Sequence, residues 1–310
     1  MPRTILVALL PLALLACAPT AAPAPVDAPA PLAAEAEIAA AESAPLDGDW
    51  GAWNEPVEPF TIIGDIHYVG VAGVSAFLIT TPEGHILIDG AFPQSAPHII
   101  ASIERLGFDI RDVKFILNSH AHIDHQGGLA RLQRASGAAM VASARDRPYL
   151  EAGRIDYGPS AGMASPRVRV DRVIADGETV SLGGVTLTAI MTPGHTPGCT
   201  SWTMPVTGAD AAAHTAFFHC SATVAGQSLA PEAYPGIVAD FRATFDTVAA
   251  IEADILLANH GSLFGLEDRT ARLRAGDANA FVDAEALQQL NTTLEHAFET
   301  ELARQQGAAR

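Results

Sequence analysis

Four residues able to bind a metal lie within six positions of this chain, in the segment HAHIDH at residues 120–125. His120 and His122 are two residues apart, so on an extended segment their side chains point the same way and can bind one ion. Asp124 and His125 are neighbours, so their side chains diverge and can face a second point. Imidazole and carboxylate groups at this density suit zinc or a similar metal. The segment therefore predicts a metal centre rather than a solvated, histidine-rich loop.

The motif lies where a predicted strand gives way to a predicted helix. KFILNS, at residues 114–119, is typical of a buried strand and places the motif at its carboxyl end. Gly127-Gly128 then favours a tight turn into the helix LARLQRAS. Since loops on a rigid scaffold commonly carry binding groups, we expect the ligands at one edge of a sheet.

Three further segments follow in an order that matches a known family. HAHIDH fits the HxHxDH signature of the metallo-β-lactamase superfamily, and ILIDG (86–90) resembles a strand-end motif of its fold. TPGHTPGCTSW (192–202) and LLANHG (256–261) resemble the segments that carry its next two zinc histidines. The resemblance runs from about Phe60 to about Leu273. It implies an α/β (α+β) fold, the αββα sandwich of two facing mixed sheets flanked by helices, with the metal site at one edge.

The segment HCSATVAG (219–226) indicates which members this chain resembles most. Most dinuclear hydrolases of this fold carry an aspartate here that bridges both metals, whereas this chain has Ser221. The pattern is similar to class B β-lactamases of subclass 3, which lack the bridging residue and use a histidine of the main motif, here His125. A shift of the alignment by one residue would instead make Cys220 a thiolate ligand, as in subclass 1.

The resemblance implies two zinc ions per chain and a small set of substrate contacts. The expected ligands are His120, His122 and His195 for the first zinc ion and Asp124, His125 and His260 for the second. Ser221 and Thr223 are expected to contact the substrate carboxylate, the alternative being ordinary turn and strand residues.

The implied activity is zinc-dependent hydrolysis of the β-lactam amide bond in penicillins, cephalosporins and carbapenems, which confers antibiotic resistance. Asp124 is the expected catalytic residue, because it can orient the attacking water and take its proton. One alternative is another hydrolase of this fold, such as a lactonase or thioesterase, which a bridging aspartate near residue 221 would have favoured. The other is a zinc-binding protein without catalysis, which six ligands with open coordination disfavour.

Cys199 and Cys220 lie at the ends of two segments, TSWTMPV and TAFFHCS, that are predicted to pair as a hairpin. The pairing can bring the two cysteines opposite each other, near the separation that a disulfide needs. Export to an oxidising compartment favours the bond. Two buried free thiols are the open alternative.

The N-terminal segment carries export features. Arg3 precedes a short apolar run, Ile5 to Leu15, which is shorter than the ~20 residues of a transmembrane helix. LLAC (14–17) resembles a bacterial lipobox that would lipidate Cys17, and cleavage near Ala21-Ala22 is the alternative. The predicted divisions are a signal peptide at 1–17, a disordered Ala/Pro-rich tether at 18–46 and the metallo-β-lactamase domain at 47–310.

Composition limits the partners. The 310 residues are 49% hydrophobic, enough for one large core, and the net charge of −17 argues against nucleic acid or an anionic membrane surface. We expect a monomer in the periplasm of a Gram-negative bacterium, attached to the outer membrane only if Cys17 is lipidated, and acting on a small-molecule β-lactam.

Overall fold

Two mixed β-sheets face each other and helices flank them, in a computed structural model that describes residues 31–208 and 211–308. The predicted αββα arrangement is confirmed. Within the described ranges, the first sheet contains, in spatial order, β1 (Phe60–Ile63), β2 (Ile66–Tyr68), β3 (Phe77–Thr81), β4 (Gly84–Ile88), β5 (Val113–Leu117), β6 (Ala139–Ser143) and β7 (Arg172–Ile174). The second contains β12 (Ile255–Ala258), β11 (Ala213–His219), β10 (Thr200–Thr207), β9 (Val185–Met191) and β8 (Thr179–Leu182).

The helices follow the strands in both halves of the chain. They are α1 (Glu35–Glu42), α2 (Asp49–Trp53), α3 (Ala96–Arg105), α4 (Ile123–Gln126), α5 (Leu129–Ser136), α6 (Arg147–Ala152), α7 (Ile237–Ala249), α8 (Leu266–Arg274) and α9 (Ala286–Ala308). Single 3₁₀ turns span Pro93–Ser95, Ile110–Asp112 and Gly261–Leu263. Among the described helices, none is both long enough and apolar enough to cross a lipid bilayer.

The first sheet is buried on both faces. In β3 and β4, Ile79 and Ile88 point toward the second sheet, where they join Trp202 in one apolar cluster. Leu78 and Leu87, at the alternate positions, belong to the cluster shared with the helices. Because successive strand residues face opposite sides, a strand covered on both sides needs a continuous apolar run, and this explains sequences such as HILI.

Strand direction places the ends of several strands at one edge. The pairs β4–β5, β5–β6 and β11–β12 are parallel. The residues that follow β4 and β5 therefore emerge at one edge of the first sheet. His260, which follows β12 in the second sheet, lies with its Nε2 3.2 Å from His125 Nε2, so the end of β12 meets this same edge.

The N-terminal segment differs from its prediction as a disordered tether through residue 46. Helix α1 packs on α5 with Ile38 buried at 1% exposure. Arg131 of α5 forms ion pairs with Glu35 and Glu42, both with N–O distances of 2.6 Å. An Ala/Pro-rich composition cannot reveal these pairs, because they depend on residues about 90 positions away. The predicted signal peptide and Cys17 lie outside the described residues.

Residues 278–285 form turns that bury Phe281 in the core before α9 begins at Ala286. The predicted tight turn at Gly127-Gly128 is corrected in detail. Gly127 and Gly128 have ordinary helical angles, with φ of −57° and −82°. Glycine is required there by close packing instead: a Cβ on Gly128 would lie 2.2 Å from the carbonyl oxygen of Gly90.

Candidate metal centre

The six predicted ligands come together at the edge where β5 and β12 end. His120 and His122 lie in the loop after β5, and His195 lies in the loop after β9. Asp124 and His125 belong to the single turn α4, and His260 directly follows β12. The structure divides them into the two predicted groups of three, which we call the first triad (His120, His122, His195) and the second triad (Asp124, His125, His260).

Nitrogen atoms converge in the first triad. His122 Nδ1 lies 3.1 Å from His120 Nε2 and 3.0 Å from His195 Nε2. All three side chains are buried. One ring nitrogen carries at most one proton, so His122 Nδ1 cannot donate hydrogen bonds in both directions. A cation at the centre would satisfy the lone pairs of all three rings.

The second triad has one oxygen and two nitrogens at similar distances. Asp124 Oδ2 lies 3.2 Å from His125 Nε2 and 3.4 Å from His260 Nε2. The two nitrogens are 3.2 Å apart. A tetrahedral zinc ion with bonds of about 2.1 Å holds its ligand atoms about 3.4 Å apart. Both triads therefore have the donor types and the spacing that zinc requires.

The outer ring nitrogens of His195 and His260 have partners that turn the inner nitrogens toward the metal positions. His195 Nδ1 donates to the carbonyl oxygen of Thr223 at 2.8 Å, and His260 Nδ1 donates to that of Gly73 at 2.9 Å. Each bond places the proton on Nδ1 and leaves the lone pair of Nε2 for a metal. Backbone acceptors of this kind commonly orient metal-binding histidines.

The charge states of the first triad and of Asp124 favour metal binding. Burial lowers the pKa of His120 and His195 well below the usual range and that of His122 to about 4. These rings are therefore neutral at pH 7, which is the form that binds a metal. Although burial opposes it, the charge of His125 and the hydrogen bonds from that ring hold the pKa of Asp124 well below its ordinary value. Asp124 is therefore ionised.

Asp89, at the end of β4, supports the loop that carries the first triad. Its carboxylate accepts hydrogen bonds from Ser119 N at 2.7 Å and Ser119 Oγ at 2.6 Å. Ser119 Oγ lies 3.1 Å from His120 Nδ1. The ILIDG motif marked this strand end, but no pattern in it indicated which side chain Asp89 would hold.

The two predicted substrate contacts differ in position. Thr223 lines the cavity described below, and its Oγ1 lies 3.2 Å from Ser221 Oγ and 3.2 Å from His195 Nδ1. Ser221 is 1% exposed and is not among the described residues that line that cavity. In this structure Ser221 therefore supports Thr223, and Thr223 is the residue that faces the cavity.

A disulfide joins Cys199 and Cys220, whose Cα atoms are 5.9 Å apart. The sulfur of Cys220 lies 3.7 Å from His120 Nδ1, the nitrogen on the far side of that ring from the first triad. A bonded Cys220 is not free to act as the thiolate ligand that a shifted alignment would require.

We expect neither Cys199 nor Cys220 to react with a thiol label when the protein is denatured without reductant. The bond spans a sequence separation of 21 residues, so its removal should lower the free energy of unfolding by about 3 kcal/mol. Mass spectrometry of the labelled protein tests the bond, and urea unfolding of the Cys199→Ala/Cys220→Ala double variant tests its effect. Labelling of both cysteines in the wild type would show two free thiols.

A cavity of about 930 Å³ opens onto both triads. Trp53, from the N-terminal segment, forms part of its wall and meets the His260 ring edge-on, with ring centroids 5.2 Å apart. Gly73 allows this contact, since a Cβ there would lie 2.5 Å from the Trp53 ring. Sequence reasoning missed Trp53, because a tryptophan outside every motif carries no local sign of its role. Other apolar residues of the wall include Trp50, Val57, Met163 and Leu263.

Similarity to solved structures covers most of the chain. BJP-1, a subclass B3 metallo-β-lactamase of Bradyrhizobium japonicum, is 42% identical with a TM-score of 0.77, over 83% of this chain and 98% of its own. The FEZ-1 metallo-β-lactamase from Legionella gormanii is 34% identical with a TM-score of 0.79, over 81% of this chain and 98% of its own.

Similarity to curated proteins is shorter and points to other activities. The N-acyl homoserine lactonase AttM of Azorhizobium caulinodans is 29% identical over 154 residues, which are 40% of this chain and 57% of that protein. Hydroxyacylglutathione hydrolases also match over about a third of their length or more. The chain spans about half the length of these curated relatives, so they indicate a shared domain rather than a shared substrate.

The family model of the metallo-β-lactamase superfamily matches residues 69–260, a range that ends at His260. The matched range contains every residue of both triads. Together with the two facing mixed sheets, this match shows that the chain belongs to the metallo-β-lactamase superfamily and that it resembles the subclass B3 enzymes.

Proposed function

We propose that this chain is a zinc-dependent β-lactamase of the subclass B3 type, which hydrolyses the amide bond of β-lactams. The observation that carries the proposal is the composition of the second triad. His125 of the main motif joins Asp124 and His260 there, and the segment HCSAT at 219–223 contributes no carboxylate. The likeness to subclass B3 structures over more than 80% of the chain supports the same assignment.

Two zinc ions would be held, one by each triad. When bound, zinc lowers the pKa of water toward about 7 and polarises a carbonyl group. The fit rests on the spacing of 3.0–3.4 Å between neighbouring donor atoms and on the neutral state of the first triad. Structural zinc sites usually have four protein ligands, so three per site leave a position open for water or substrate.

The chain's own groups then have separate tasks. Asp124 is ionised and lines the cavity, so it can orient the attacking water and accept its proton. The hydroxyl of Thr223 faces the same cavity and can donate a hydrogen bond to the substrate carboxylate. Trp53 and Met163 form apolar walls that can exclude water from the substrate ring.

The names of the curated relatives support a second candidate function, a lactonase or a thioesterase. All of these reactions add water to a carbonyl carbon, so a metal-bound water could serve each of them. Among the residues around the metals, only the second triad, with His125 and no bridging carboxylate from residues 219–223, favours the β-lactamase. The difference lies in the substrate that the cavity accepts.

One panel of substrates decides between the candidates. Purified protein is incubated with a penicillin, a cephalosporin, a carbapenem, an N-acyl homoserine lactone and a glutathione thioester, each with and without a chelator. We expect opening of the β-lactams, loss of activity with chelator, recovery with added zinc and no effect of a serine-directed inhibitor. Cleavage of the lactone or the thioester by zinc-loaded protein that opens no β-lactam would contradict the proposal.

Thr223→Ala should raise KM for a β-lactam by about 10-fold while kcat changes less. A hydrogen bond to a charged group contributes about 1.5–3 kcal/mol, and this one acts mainly in substrate binding. Steady-state kinetics measures both constants, and Thr223→Ser, which keeps the hydroxyl, is the matched control. A fall in kcat for Thr223→Ala without a rise in KM, with Thr223→Ser unaffected, would assign the effect to the contact between this hydroxyl and His195 instead.

A further inference from the structure

A buried carboxylate outside both triads connects the two loops that supply the first triad. Asp146 lies between β6 and α6 and is 1% exposed. Its Oδ2 accepts hydrogen bonds from Ala121 N at 3.0 Å and from Thr196 Oγ1 at 2.7 Å. Its Oδ1 accepts a third from Gly198 N at 2.8 Å.

The partners of Asp146 are immediate neighbours of the first triad. Ala121 stands between His120 and His122, and Thr196 follows His195. These two loops are about 70 residues apart in sequence, and one side chain fixes both. Within the described part of the chain, the hydrogen bonds of Asp146 involve neither Asp124 nor the other residues of the second triad.

The surroundings leave little room for these loops to shift. A Cβ on Gly198 would lie 2.1 Å from Ser143 Oγ and 2.5 Å from Asp146 N, so the segments meet at backbone distance. Burial raises the pKa of Asp146 to about 6, against the effect of its three hydrogen-bond donors. At pH 7 it is therefore ionised, and it accepts hydrogen bonds from all three donors in a buried site.

We infer that Asp146 is a positioning residue that holds His120, His122 and His195 in register for one metal ion. It touches neither substrate nor ligand atoms and acts through the loops on each side of it. The inference rests on the proposed metal centre, and it concerns the first triad alone.

Asp146→Asn tests the inference with almost no change of volume. An amide offers one acceptor oxygen and two N–H donors, so at least one of the three donors around residue 146 would face another donor. The loop with Ala121 or the loop with Gly198 must then move.

The measurement is the zinc affinity of each triad in the full chain. In an Asp124→Ala background the second triad is disabled, so zinc binding measures the affinity of the first triad. In a His195→Ala background the first triad is disabled, so zinc binding measures the affinity of the second. Zinc is titrated against a chromophoric chelator, so no activity assay is involved. Asp171→Asn is the matched control, because Asp171 accepts hydrogen bonds from Met140 N of β6 at 3.0 Å and from Gln133 but contacts neither ligand loop.

We expect Asp146→Asn to weaken zinc binding by the first triad about 10- to 100-fold, the usual effect of losing an outer support of metal ligands, and to leave the second triad unchanged. Asp171→Asn should leave both unchanged. Thr196→Val should weaken the first triad in the same direction, and Thr196→Ser, which keeps the hydroxyl, should restore the parent affinity. If circular dichroism shows that Asp146→Asn does not fold, the comparison of Thr196→Val with Thr196→Ser tests the inference instead.

Two results would overturn the inference alone: an unchanged first triad in folded Asp146→Asn, or equal weakening of both triads, which indicates general loss of stability. A wild-type chain that binds no zinc at either triad would overturn the proposed metal centre and the inference with it. The wild-type titration therefore separates the two failures.

Discussion

Replacing Asp124 with alanine is expected to lower kcat for β-lactam hydrolysis by roughly 10²- to 10⁴-fold, the range for loss of a proton acceptor. The change also removes the carboxylate oxygen that lies 3.2 Å from His125 Nε2 and 3.4 Å from His260 Nε2. The imidazoles of His125 and His260 then lack the carboxylate that completes the second triad. The zinc content should fall from about two ions per chain toward one, and steady-state kinetics with metal analysis measures both effects.

Two further variants sharpen this test. Asp124→Asn keeps an oxygen that can bind zinc but loses the negative charge, so it should retain more zinc than alanine while kcat stays low. Ser221→Ala is the matched control at the position of the missing bridging residue and should keep both ions. If Ser221→Ala lost the second ion while His125→Ala kept it, the subclass B3 assignment of the second triad would be wrong.

Phe241→Ala is expected to lower the free energy of unfolding by about 3–5 kcal/mol, the usual cost of removing a buried phenylalanine ring. Phe241 of α7 is fully buried, with its ring centroid 5.0 Å from that of Phe298 on α9. Its ring also packs against the loop of His195, since a Cβ on Gly194 would lie 2.8 Å from it. The substitution would leave a cavity where two helices and a ligand loop meet.

Urea unfolding followed by circular dichroism measures this change. Val173→Ala is the control, because Val173 is 39% exposed and its truncation should change stability by less than about 0.5 kcal/mol. A loss below about 1 kcal/mol for Phe241→Ala would mean that α7 and α9 repack around the missing ring. The zinc content of the folded variant then reports whether the His195 loop has moved.

Local patterns accounted for the strands and for the main motif. The apolar run KFILNS predicted β5, and the segments TSWTMPV and TAFFHCS predicted the pairing of β10 with β11. The spacing of His120 and His122 placed two ligands together, because the faces of an extended segment repeat every two residues. The order of the later motifs added His195 and His260, and the two triads contain every one of these residues.

The boundaries of the N-terminal region were predicted less well. Composition indicated a tether through residue 46, whereas α1 packs on α5. The ion pair of Arg131 with Glu42 joins residues 89 positions apart. Composition reports the average tendency of a segment to remain unfolded, and it contains no information about a distant surface that binds the segment.

By itself, the sequence determined the main motif, because the spacing of its ligands has a local physical meaning. The resemblance carried by this motif and three further segments implied the family, the facing sheets and the six candidate ligands. Only the tertiary structure decided which atoms face each other, such as His122 Nδ1 and His195 Nε2 at 3.0 Å across 73 residues. It also decided that Thr223 rather than Ser221 faces the cavity and that Asp146 joins two ligand loops. These contacts depend on how sheets and loops pack. Packing brings together residues that are distant in sequence, and the sequence around one residue does not indicate which distant residue it will contact.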